Sequence, residues 1–179
     1  MQRIDRVNEQ TINSSISELL SKVKKQMGVV PNIMATLANS EAALEAYLNL
    51  STSINKTQLS GQQKEQIALA VAGHNQCDYC ASAHTYIGAS MGLSSQELAA
   101  NLQGDSANDS TRLMLNFVNE LLSHKGNVSD HQLALMHTAG FSDADVLDIL
   151  AVTVMNIFTN YLNHLAQTEI DFPIVTVQQ

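Results

Sequence analysis

Tryptophan is absent from this 179-residue chain, proline occurs only at Pro31 and Pro173, cysteine only at Cys77 and Cys80, and there are eight glycines. So little proline and glycine excludes collagen-like and low-complexity chains and disfavours a turn-rich all-β fold. Aromatic residues make up 4%, thin for a β-sandwich or for an RNA binder that works by stacking. Basic residues are also scarce. Nine Lys and Arg against 17 Asp and Glu give a net charge of −8, the wrong sign for gripping a phosphate backbone, so no nucleic-acid partner is expected. The small basic cluster Lys22, Lys24 and Lys25 reads as the solvated face of a helix. The N-terminal residues lack the apolar run of a secretory signal. The most apolar stretch, 149–162, is broken by Thr153, Asn156, Thr159 and Asn160. It falls short of the ~20 apolar residues that span a bilayer. The expectation is a cytoplasmic protein with no membrane contact.

What is present is helical. Hydrophobic residues are 45% of the chain, enough for the core of one domain over 1–179. Ile12, Ile16, Leu19, Leu20, Val23 and Met27 repeat at helical spacing, with Gly28 as a stop. Pro31 opens a short helical segment to Leu37, and Ser40 can cap a helix carrying Leu44, Tyr47, Leu48 and Ile54 inward. Ser60, Ser94, Ser129 and Ser142 are followed three residues later by Gln63, Glu97, Gln132 and Asp145. That is the pattern of a capping box, weakest at Asp145 because its side chain is short. Residues 62–72 are apolar on every face around Ile67–Ala72, which predicts a buried central helix ending at Gly73 in the left-handed conformation. A second helix is expected from Cys77 to Met91, others over 112–123 and 143–168. The tail 174–177 is too short to seed a sheet. The stretches 92–98 and 140–146 share the pattern G-[LF]-S-x-x-[ED]-[LV], either a repeated cap or an old duplication. The fold class is all-α.

Chemistry concentrates in Glu65, Cys77, Cys80 and His84, an E-x11-C-x2-C-x3-H array. On a helix beginning near Cys77, Cys80 and His84 are four residues apart and share a face. A tight turn at 73–76 would fold the Glu65 helix back beside them. A helix N-terminus, a neighbouring imidazole and the CxxC arrangement each lower a thiol pKa toward neutrality. His84 can move the proton, Glu65 can orient His84, and a second cysteine resolves an oxidised first one into a disulfide before over-oxidation. By residue type this is a two-cysteine redox centre.

The array resembles the AhpD-like alkylhydroperoxidases within the carboxymuconolactone decarboxylase superfamily. Val30-Pro31-Asn32, the stretch 84–92, Asn160 to His164 and Asp171-Phe172-Pro173 are similar to a peroxidase-related branch, so the resemblance spans about 28–173. It implies a single-domain AhpD-like helical fold, homo-oligomers and thiol-dependent reduction of peroxides. Carried over by position, Cys80 would be the peroxidatic cysteine, Cys77 its partner and proton donor, and Glu65 and His84 the proton relay. It implies a peroxide substrate and a dithiol reductant such as a dihydrolipoyl or thioredoxin-like protein, and no cofactor is expected. One departure is Tyr79 inside the CxxC, where members of the family can carry a histidine. Decarboxylation is not expected, since decarboxylases of the superfamily generally lack the cysteine pair.

Other readings compete. His74, Cys77, Cys80 and His84 form an H-x2-C-x2-C-x3-H set of zinc-type ligands, though all lie within 11 residues. Haem attachment fails because residue 81 is Ala rather than His. The cysteines could instead be inert core, or a redox-responsive switch in a binding or adaptor protein. His74 reads as a turn residue or one near the site entrance, and His124 as a helix C-terminal residue. Asn160, Asn163 and His164 lie on one side of the last helix and need partners, in the site or at a subunit interface. Met91, Met114 and Met155 read as core.

Overall fold

The computed structural model describes residues 2–8 and 10–177. Among them nine helices form and no strand: α1 Ser14–Met27, α2 Asn32–Leu37, α3 Glu41–Ile54, α4 Gly61–His74, α5 Asp78–Ser90, α6 Ser95–Leu102, α7 Asp109–Ser123, α8 Asp130–Thr138 and α9 Asp143–Ala166. The fold is all-α, as the capping and periodicity predict.

Side-chain caps set the helix starts. Ser60, Ser94, Ser129 and Ser142 each accept a hydrogen bond from the backbone N–H three residues on. The full reciprocal box closes at Ser60–Gln63 and at Ser142–Asp145, the pattern read as weakest, where the short carboxylate still reaches the Ser142 N–H at 2.8 Å. Glu97 does not reach back to its cap. It is drawn instead to Gln66, Asn101, Ser106 and the Ala107 N–H, and ties α4 to the loop after α6. The 92–98 and 140–146 stretches are both a left-handed glycine (Gly92, Gly140) followed by a serine cap.

α4 lies at the centre of the molecule and packs on α5, α6, α7 and α9. Residues Ile67 to Ala72 are all at most 1% exposed. On one side α4 joins a cluster of Ile67, Val71, Met114, Phe117, Val118, Ile149 and Val152. On the other, Ala72 joins one that contains Leu37, Leu44, Cys77, Tyr79 and Cys80. The predicted end of this helix is corrected. Gly73 is not a left-handed stop; α4 runs through His74, and the residue with positive φ is Gln76, at 56°. Gly73 is needed for space, because a Cβ there would sit 1.8 Å from the Leu102 carbonyl oxygen. That close approach seats α6 on α4.

α9 is long and apolar enough to cross a bilayer by length and composition alone. Here it packs on α2, α3, α4, α5 and α7, burying Thr153, Asn156, Asn160 and Asn163 on its inward face. Met114 is fully buried as read from the sequence, but Met91 is 43% exposed, lying over Gly61 at the end of α5.

Candidate functional site

The turn between α4 and α5 builds the site. Residues 75–77 reverse the chain, with Gln76 left-handed and the Cys77 N–H bonded to the Ala72 carbonyl at 2.9 Å. α5 therefore returns along α4. Cys77 is the N-cap of α5, and its sulfur accepts the Cys80 N–H at 3.4 Å. The sulfur thus sits at the positive end of the helix dipole. Both cysteines are free and buried.

One helical turn beyond Cys80, His84 meets Glu65 from α4, with Nδ1 2.7 Å from Oε2. The pair is largely shielded, at 21% and 14% side-chain exposure. A carboxylate accepts hydrogen bonds, so Nδ1 carries the hydrogen and Nε2 is the end left for proton exchange. Burial pulls the His84 pKa down, but the charge and hydrogen bond of Glu65 outweigh it and raise it above 6.5. The structure thus brings Glu65, Cys77, Cys80 and His84 into one neighbourhood.

The two sulfurs behave unequally. Hydrogen bonding from Cys80 lowers the Cys77 pKa against the opposing effect of burial, helped by the Cys80 N–H and the positive charge of His84. Cys80 is pushed well up by its hydrogen bond to Cys77, by burial and by the neighbouring negative charge. Of the two sulfurs, Cys77 is the one whose surroundings favour the thiolate and Cys80 the one whose surroundings favour the thiol.

α9 supplies what the motif lacks. Asn163 Nδ2 donates to Cys80 Sγ at 3.2 Å. Asn160 accepts from Asn75 in the turn at 3.1 Å, and it also favours a charged Cys80. Of the two roles open to these asparagines, the structure places them at the site. The sequence signal was their polarity on an apolar helix, but nothing in it gives the contact across 83 residues of chain. His164 is exposed, with Nε2 3.3 Å from the Gln76 carbonyl oxygen.

Cys80 and His84 face a cavity of about 120 Å³, walled mainly by apolar side chains from α1, α2, α3, α5 and α9, with Phe172 from the tail. Tyr47 lines it and was read from the sequence only as core. Its phenol pKa rises to about 12 through burial and through the charges of Cys80 and Glu65, so it stays protonated. Tyr79 is a pin between segments. Its hydroxyl donates to Asp171 at 2.7 Å and accepts the Ile33 N–H at 3.2 Å, and its ring meets Phe172 edge-on at 5.8 Å.

The tail from Asp171 to Val177 is strapped to α5. The Val175 N–H donates to Ser82 Oγ and the Val177 N–H to Asp78, at 2.9 and 2.8 Å. His74 is exposed at the end of α4 and His84 is held by Glu65. Among the described residues no group of three or more His, Cys, Asp or Glu is arranged to hold a metal ion.

Residues 41–121 match the carboxymuconolactone decarboxylase family. A comparison with curated proteins finds no match. Among solved structures the chain is similar to the alkylhydroperoxidase AhpD core of an uncharacterized peroxidase-related protein from Ralstonia eutropha JMP134, at TM-score 0.86 and 21% identity over 95% of this chain and 92% of that one. It is similar to an uncharacterized peroxidase-related protein from Silicibacter sp. TM1040 at TM-score 0.80 and 21% identity, over 89% and 86%. The debrominase Bmp8 matches at TM-score 0.79 and 16% identity, over 94% and 91%, and a variant of it is known in complex with 2,3,4-tribromopyrrole. At these identities the likeness is one of fold.

Proposed function

We propose that this chain, an AhpD-like member of the carboxymuconolactone decarboxylase superfamily, is a two-cysteine thiol peroxidase acting in the cytoplasm on uncharged, apolar hydroperoxides. The observation that carries the reading is the Glu65–His84 pair, 2.7 Å apart, set beside two free buried thiols of which Cys80 opens onto an apolar cavity.

In the cycle, a hydroperoxide enters the cavity and the Cys77 thiolate takes the Cys80 proton. The Cys80 sulfur attacks the terminal peroxide oxygen and the O–O bond breaks. Cys80 becomes a sulfenic acid, and the alkoxide leaves as the alcohol with the proton returned through Cys77. The Cys77 thiolate then attacks the Cys80 sulfur and the S–O bond breaks. Hydroxide leaves as water with a proton from His84, restored to Nε2 from solvent, while Glu65 holds the imidazolium in place. An external dithiol reduces the disulfide. The Asn163 hydrogen bond supports the charge on Cys80 as it attacks.

The exposed stripe Leu147, Leu150, Val154, Phe158, Tyr161 and Leu165 along α9 supports self-association into a homo-oligomer. A second reading, reductive dehalogenation of the kind Bmp8's name states, is favoured by the apolar cavity alone. There the Cys80 sulfur would take the halogen, the carbon a proton, and Cys77 would displace halide.

Intact mass of the reduced protein after one equivalent of cumene hydroperoxide tests the peroxidase reading. Loss of two hydrogens, abolished by Cys80→Ser, is expected, with repeated turnover when dithiothreitol is supplied. Thiols inert to peroxide would overturn it. A single oxidation without turnover would favour a redox switch, and halide release from a halogenated pyrrole without peroxide consumption would favour the second reading.

A further inference from the structure

We propose that the oxidised dyad is re-reduced through a second opening, distinct from the peroxide cavity, by a polar dithiol that attacks the Cys77 sulfur; this rests on the two-cysteine reading above. The two cysteines line different spaces. Cys80 lines the apolar cavity and Cys77 does not. Cys77 lines a groove of about 250 Å³ with Asp78, Asn163, His164, Gln167 and Thr168, and Cys80 does not. Only Tyr79 borders both.

The groove is built where two helices end beside one another. Gln76, after α4, and Gln167, after α9, both take the left-handed conformation, at φ 56° and 51°. Such residues are uncommon outside glycine and mark over-determined local structure. They turn both chains at the groove, whose wall includes Cys77 although that residue is itself only 1% exposed. Two residues on its wall carry buried oxygens without a hydrogen-bond partner among the described residues, Asn163 Oδ1 and Thr168 Oγ1, although the residues are only 4% and 8% exposed. Buried polar atoms are ordinarily satisfied. An amide oxygen takes a donor, and a hydroxyl takes or gives one, so a ligand with hydroxyl or amide groups beside its sulfurs fits the wall. The apolar cavity offers no such pair.

The geometry also chooses the leaving group. Thiol–disulfide exchange proceeds by attack of a thiolate on one sulfur while the other departs. Attack on Cys77 forms a reductant–Cys77 disulfide and expels Cys80 as a thiolate; with Cys77 tied up in the mixed disulfide, the Cys77 hydrogen bond and charge that raise the Cys80 pKa at rest are gone, and Asn163 Nδ2 is placed to receive the thiolate at 3.2 Å. The second thiol of the reductant then attacks its own sulfur in the mixed disulfide and expels the Cys77 thiolate onto the Cys80 N–H. The reductant leaves as its disulfide, having given up two electrons and two protons, and Cys80 again faces the peroxide cavity.

The test oxidises the wild-type protein with diamide, so that it does not depend on any reaction with peroxide. 2-Mercaptoethanol is added briefly, the reaction is quenched with acid, and freed thiols are capped with N-ethylmaleimide. Fragment masses then assign each cysteine. The mercaptoethanol adduct is expected on Cys77 and the maleimide on Cys80, by at least tenfold over the reverse. Equal labelling, or an adduct mainly on Cys80, overturns the proposal. In a second measurement His164→Trp, which fills the groove, slows reduction by dithiothreitol at least tenfold; an unchanged rate also overturns it. A Cys77 adduct in a protein that does not consume peroxide would sink the peroxidase reading and leave this one standing. Failure of diamide to form any disulfide would sink both.

Discussion

Cys77 and Cys80 have the same side chain and nearly the same burial, yet their surroundings give them opposite tendencies. Cys77 accepts hydrogen bonds from the Cys80 side chain and N–H at a helix N-terminus, with the positive charge of His84 nearby, while Cys80 is held as a thiol by its hydrogen bond to Cys77 and by the negative charge there. Glu65→Gln removes the carboxylate that favours the charged form of His84. We expect peroxide turnover to fall about 10²-fold, with the alkylation pKa of Cys77 moving up as the nearby positive charge is lost. An unchanged rate of iodoacetamide labelling against pH would refute this. Stability should respond as well. A raised His84 pKa contributes stability that is fully present below the unfolded value near 6.5 and is lost as pH rises through the folded value. The lowered Cys77 pKa contributes stability present above the ordinary thiol value and lost as pH falls through its folded value. The difference in Tm between the reduced wild type and Glu65→Gln is therefore expected to be larger at pH 6 than at pH 9. Tyr79→Phe leaves the Ile33 N–H without its acceptor and Asp171 Oδ1 without its donor, while Oδ2 keeps the Asn32 N–H. It should cost about 1–3 kcal/mol in urea unfolding.

Among the elements, the α4–turn–α5 hairpin was the most legible in the sequence, because its determinants are local. A serine cap, an all-apolar run and an E-x11-C-x2-C-x3-H spacing lie within 25 residues, and they point to the Glu65–His84 contact. The end of α4 was misplaced because Gly73 was read as a conformational stop. Its reason is steric and lies on α6, at Leu102, which no local pattern reveals. For the same reason Asn163 could be singled out as needing a partner but not assigned to Cys80. The cavity walls from α1, α2 and α3 carry no motif either. Gly73→Ala forces a Cβ against the Leu102 carbonyl and should destabilise the fold by about 3 kcal/mol, whereas Ser60→Ala, which removes the serine side-chain cap at the start of α4, should cost only ~1 kcal/mol. Chemical denaturation of the two variants side by side checks the order, and reversal would show that the close approach of α6 relaxes readily.

At the scale of the whole molecule, α9 is asked to do two things, burying polar groups at the thiols and presenting an apolar outer stripe. Leu150→Glu with Val154→Glu places charges on that stripe without touching the inner face. Light scattering is expected to show a smaller assembly than the wild type, and an unchanged mass would remove the stripe from the interface. The thiols themselves are covered by chain that is far away in sequence. Asn163 lies 83 residues beyond Cys80, and Val177 lies 99 beyond Asp78. Translation at roughly 5–20 residues per second puts about 4–17 s between the emergence of Cys80 and that of Asn163. During that interval a growing chain carries its dithiol without the helix and strap that later shield it. A ribosome-bound intermediate should therefore be the form most readily modified by oxidants and electrophiles, and α9 with the strap that follows it acts as the closure that ends this vulnerable period.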